Sequence, residues 1–122
     1  MILRLQKEKK MKIEKRKKGN VTIFDLKGKI LFGDGIDELR QSINASIKDN
    51  EKQLVLNFAE VPYLDSTGLG EVVRSYTTLK KEGGAVKIEN LSNKVKDLMM
   101  VTKLITVFET FNNEDEAVNS FK

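Results

Sequence analysis

Tyr63-Leu64-Asp65-Ser66-Thr67-Gly68-Leu69-Gly70 stands where one periodicity gives way to another. Before it, Leu54-Val55-Leu56-Asn57-Phe58 is a short, nearly continuous apolar run, the pattern of a central strand covered on both faces. After it, Leu69, Val72, Val73, Tyr76 and Leu79 recur at the spacing of one helical face. A small hydroxyl residue, Ser66, therefore falls where a strand ends and a helix begins. The first backbone N–H groups of a helix lack intrahelical partners, and the positive end of the helix dipole points the same way. The junction is a seat for a phosphate, whether bound or attached to Ser66.

Gly68 and Gly70 fall in the first turn of that helix, where each costs roughly 1 kcal/mol relative to alanine. Two readings account for them. Either the first turn packs closely against a neighbouring strand, or a partner's backbone or a ligand approaches the helix start. Both can hold at once.

Outward from the junction, 12–17 and 20–27 read as two strands joined by a turn at Lys18-Gly19-Asn20. Lys29-Ile30-Leu31-Phe32 runs into a loop at Gly33-Asp34-Gly35. A helix follows, with Ile36, Leu39, Ile43 and Ile47 on one stripe, ending near Asp49-Asn50. The long helix after the motif reaches about Lys81 and is stopped by Gly83-Gly84. Val86-Lys87-Ile88 is the next strand, and Ser92 caps a short helix that turns Val95, Leu98 and Met99 inward. Residues 105–109 are expected as a last strand and 114–121 as a last amphipathic helix. Strands and helices alternate after residue 28. The expected class is α/β: one domain with a mixed sheet, parallel central strands, an antiparallel N-terminal edge, and about four helices mainly on one face.

Several chemistries are excluded by composition. The 122 residues suit one domain, contain neither cysteine nor histidine, and so provide no disulfide, thiolate metal site or histidine-dependent triad. No G-x-x-x-x-G-K-[ST] occurs, Gly68-Leu69-Gly70 lacks the third glycine of a dinucleotide fingerprint, and the acidic residues show no metal-ligand spacing. A serine hydrolase would need an activating base near Ser66, and none is close in sequence. No catalytic residue, cofactor or metal is expected. No apolar run reaches the length of a membrane span and no h-region follows the N-terminal charges, so a cytoplasmic protein is expected. Asn44-Ala45-Ser46 matches a glycosylation sequon but lies within a helix pattern of such a protein.

Net charge is +4, yet unevenly placed. Residues 1–18 hold nine Lys/Arg and two Glu, a net +7, and the remaining 104 residues carry a net −3. Without aromatic residues for base stacking, this basic arm is not expected to bind DNA directly. Residues 1–10 are expected to be a basic, disordered leader or a misassigned start. Met11 opens what is already a complete first strand, and Lys7-Glu8 can be encoded by a purine-rich string resembling a bacterial ribosome-binding site.

The segment 61–71 resembles the phosphorylation-site motif of the STAS domain, in particular of bacterial anti-sigma factor antagonists, which share Asp-Ser-Ser/Thr/Ala-Gly-Leu-Gly at a strand end. The resemblance runs from about residue 11 to 121, including Gly83-Gly84 and Leu104-Ile105-Thr106-Val107-Phe108, with no departure inside the motif. It implies a phosphorylation-switched binding protein. Unphosphorylated, such a protein binds an anti-sigma factor that is also a serine kinase and frees the sigma factor. Phosphorylation at Ser66, with Thr67 the second choice, ends the complex, and a serine phosphatase restores it. The chain would be a kinase substrate and no enzyme, a monomer or weak dimer. Alternative readings are a STAS scaffold of a stress-sensing or transporter-associated complex, or a weak nucleotide-binding module. Gly33-Asp34-Gly35 and the motif both follow strands and precede helices, so they share one end of the sheet, where binding collects. Asp34, Asp65, Ser66, Thr67, Gly68 and Gly70, with Ser92 nearby, are the expected partner contacts.

Overall fold

Strand β3 (Gln53–Glu60) occupies the centre of the sheet because both of its faces are apolar. Leu54, Leu56 and Phe58 are fully buried in one layer, and Val55 is fully buried in the other. Strand β2 (Val21–Lys27) alternates in the same way, with Phe24 and Leu26 on the first side and Val21 and Ile23 on the second. The computed structural model describes residues 11–33 and 35–122. The expectations for residues 1–10 and for Asp34 lie outside the described residues.

Strand β1 (Lys12–Lys18) pairs antiparallel with β2 across a turn in which Gly19 adopts φ +60°. Strands β4 (Ala85–Glu89) and β5 (Thr110–Phe111) complete a five-stranded sheet of order β1-β2-β3-β4-β5, parallel from β2 onward. Three helices connect the parallel strands: α1 (Ile36–Lys48), α2 (Ser66–Lys81) and α3 (Asn93–Val101). Each crossover steps one strand in the same direction, so right-handed connections stack all three helices on one face. Their inward residues, among them Leu39, Ile43, Val72, Leu79, Val95 and Met99, form the main core with β2, β3 and β4. The short helix α4 (Glu114–Asn119) follows β5 and folds back over the opposite face. There Ala117, Val118 and Phe121 cover Val21, Ile23 and Val55.

The expected last strand at 105–109 is corrected. Leu104–Thr106 is a single 3-10 turn entered through Lys103 at φ +63°, and the strand begins only at Thr110. An apolar run of that length suits a buried turn as well as a strand. Here Leu104 and Ile105 pack against the main core as part of the turn, Phe108 is buried, and Val107 faces outward. The last helix is also shorter than expected, ending at Asn119, though Phe121 still packs beneath it.

A candidate phosphoacceptor site at the start of helix α2

Parallel pairing brings the ends of β2, β3 and β4 to one edge of the sheet. The segments leaving β2 and β3 stay in register beyond the strands: Ile30 bridges Leu64, the Ile30 N–H donates to the Tyr63 carbonyl at 3.2 Å, and the Asp65 N–H donates to the Ile30 carbonyl at 3.3 Å. Asp65 then caps α2. Its Oδ1 accepts from the Gly68 N–H at 2.8 Å and its Oδ2 from the Phe32 N–H at 3.0 Å. The N–H of Phe32, and then that of Gly68, hold this carboxyl below the usual carboxylate range. One charged side chain thereby fixes the helix start and pins the neighbouring loop to it.

Ser66 is the first residue of α2 and is exposed. Among the described residues its hydroxyl has no hydrogen-bond partner in this chain. Thr67 is exposed as well and lines an open depression of about 390 Å³ together with Phe32, Gly35, Ile36, Asp37 and Arg40. The two glycines part company. Gly68 is buried, and a Cβ there would lie 2.1 Å from the Ile30 carbonyl oxygen. Its missing side chain lets α2 dock on the β2 segment, which is internal packing and not a surface for a partner. At Gly70 a Cβ would meet nothing within 4 Å, and the position is open. Ser92 is half-buried and caps α3, accepting from the Val95 N–H at 3.3 Å. Its helix starts beside the motif, with the Lys94 ammonium 4.8 Å from the centre of the Tyr63 ring. Asp65, Ser66, Thr67, Gly70 and Ser92 are thus gathered at one edge.

Sequence reasoning missed two features. Phe32, 79% exposed, sits at the mouth of the depression; a lone aromatic before a glycine loop carries no periodicity to mark it. Behind the first turn of α2, the buried carboxylate of Glu71 accepts from Arg40 Nη2 at 2.8 Å and from Arg74 Nε at 3.0 Å, tying α2 to α1. The i,i+3 pair Glu71–Arg74 is visible in sequence, whereas Arg40 lies 31 residues away.

On the opposite face, at the same strand ends, Asp25, Asn57 and Glu89 stand in register across β2, β3 and β4. Asp25 Oδ1 accepts from Asn57 Nδ2 at 2.8 Å and from Arg16 Nη2 at 2.9 Å, and Arg16 also donates to Glu114 at the start of α4. Glu89 is only 1% exposed, and its Oε1 has no hydrogen-bond partner. Burial, and then the adjoining Glu114, push Glu89 up to about 7, while Glu114, held chiefly by Arg16, falls to about 2. Among the described residues no group of three or more such side chains could hold a metal ion.

A mixed α/β sheet thus carries, at the ends of its parallel strands, an exposed and unpartnered serine hydroxyl on the first residue of a helix capped by Asp65. The STAS domain model matches residues 12–117, and the chain belongs to that family. It is similar to the anti-sigma-B factor antagonist of Bacillus subtilis strain 168, with 42% identity over 50 residues, covering 41% of this chain and 46% of that protein. The crystal structure of an anti-sigma factor antagonist from Mycobacterium paratuberculosis superimposes with TM-score 0.78 at 23% identity, covering 92% of this chain and 94% of that one. The Bacillus cell fate determinant SpoIIAA in its phosphorylated form gives TM-score 0.71 at 18% identity, covering 91% and 100%. No helix among the described residues is long and apolar enough to cross a membrane.

Proposed function

We propose that this chain is an anti-sigma factor antagonist switched by phosphorylation of Ser66. The observation that carries the reading is the Ser66 hydroxyl, exposed and without an internal partner on the first residue of a helix whose cap is already supplied by Asp65. The names of the relatives point the same way. In the unphosphorylated form the edge around Ser66 binds an anti-sigma factor that is also a serine kinase, and the sigma factor is released. The γ-phosphoryl group of ATP then passes to Ser66 Oγ: the new P–O bond forms, ADP leaves, and a base of the kinase takes the hydroxyl proton. A serine phosphatase returns the group to water. The chain is the substrate in both steps and acts as a monomer or weak dimer, without contacting DNA.

Phosphoserine brings about −1.5 to −2 charges, which unpaired N–H groups and the helix dipole tolerate at this place. The domain stays folded, and the effect falls on the complex through bulk and charge at a packed contact. Mass spectrometry after incubation with ATP and a cognate anti-sigma kinase tests the reading. One phosphate should map to Ser66, and Ser66→Ala should remain unmodified while still binding. Phosphate on Thr67, or full modification of Ser66→Ala, would overturn the assignment.

A further inference from the structure

Phe32 keeps 79% of its surface in water, yet its backbone is pinned. Its N–H is held by the Asp65 carboxylate whose other oxygen caps α2, so the ring is presented from a fixed place next to the residue that precedes Ser66. The depression beside it is lined by Gly33, Gly35 and Thr67 and by the carboxylates of Asp37 and Glu38, against which stands Arg40, whose charge is already met by Glu71. A ring with only two side-chain torsions on a pinned backbone loses little freedom when captured. Aromatic side chains seated in a partner's pocket are the commonest carriers of interface affinity. Among the described residues the other strongly exposed apolar side chains, Met100 and Val101, lie in the last turn of α3, at the far end of the helix from its start beside the motif.

We propose that Phe32 is the anchor by which the kinase that modifies Ser66 docks, its ring entering an apolar pocket rimmed by cationic groups on the kinase. This rests on the reading of Ser66 as a kinase substrate. Docking and phosphorylation then share one surface: the pinned ring brings the hydroxyl to the nucleotide, and the phosphate formed beside it lies inside the contact it must break.

The experiment compares steady-state phosphorylation of wild type, Phe32→Ala, Phe32→Leu and Val101→Ala. The probes are the ATP-dependent anti-sigma serine kinases of the same genome, purified singly. Phe32→Ala should raise KM by about tenfold or more with kcat within about twofold, the signature of lost binding energy and not of lost chemistry. Its melting temperature should match wild type because the ring covers almost nothing. Phe32→Leu should recover part of the KM loss, and Val101→Ala should behave as wild type. A wild-type KM for Phe32→Ala overturns the anchor and leaves the Ser66 reading standing. Absence of Ser66 phosphorylation in wild type by every kinase overturns both. Lowered melting of both Phe32 variants also overturns the proposal, since the ring would then be structural.

Discussion

A methyl group added at Gly68 would be driven to within 2.1 Å of the Ile30 carbonyl oxygen, a backbone atom that cannot move aside alone. Gly68→Ala should therefore destabilise the domain by at least about 2 kcal/mol. Gly70→Ala, two residues on and facing open space, should stabilise it by about 0.5–1 kcal/mol by removing a flexible residue from a helix. Urea titration of both variants measures the contrast; equal shifts would show that the two glycines do the same work. Ser66→Asp probes the switch separately from the fold. One carboxylate at the first residue of α2 should leave stability unchanged or raise it by about 0.3–1 kcal/mol, while affinity for the anti-sigma factor falls. Melting well below wild type would mean that the switch disorders the domain. The strand-to-helix junction around Ser66 was legible because two periodicities meet there. The division of labour between Gly68 and Gly70 was not, since it depends on where the β2 segment runs, and spacing along α2 carries no record of that.

Between elements, the most exposed consequence concerns α4. Glu89 of β4 lies buried beneath the cluster where Glu114 of α4 meets Arg16 of β1 and Asp25 of β2. Its folded-state value of about 7 stands above the 4.5 expected in an unfolded chain. Stability from this group is thus fully present below about 4.5 and is lost as pH rises through about 7, at up to about 1.4 kcal/mol per pH unit. Glu114 works the other way: held down to about 2, it contributes above the ordinary carboxylate range and fails only in strong acid. Between pH 4.5 and about 7, the window set by the unfolded and folded values of Glu89, its slope should dominate this cluster. Denaturation across that range, and amide exchange in α4, should show weakening on the alkaline side, and Glu89→Gln should flatten it. A variant that keeps the wild-type slope would place the titration elsewhere. Nothing in the local sequence announces this cluster, because Arg16 and Glu114 lie 98 residues apart. The same limit explains the misplaced last strand: Ile105 and Val107 are β-branched residues that favour a strand, and only tertiary packing decides that the chain turns there.

Across the whole molecule, strand order equals chain order from β1 to β5. The pattern of the segments was enough to foresee that layout, since alternating strands and helices with one hand of crossover leave few arrangements. It also means that pairing asks each new strand only to find the one made just before it. A nascent chain can zip its sheet progressively as it leaves the ribosome, hairpin first, with each closure spanning one helix. Among the described residues the longest reach back to β1 comes last, when Glu114 meets Arg16 and α4 covers Val21, Ile23 and Val55. A chain stopped at Asn113 should therefore carry its main core and its Ser66 edge while leaving that second apolar face bare, readable as binding of a hydrophobic dye that the full chain does not bind. Synthesis of residues 114–122 would then act as a timer: until they emerge, the protein has its Ser66 edge and also a sticky back, and quality control has that interval in which to seize it.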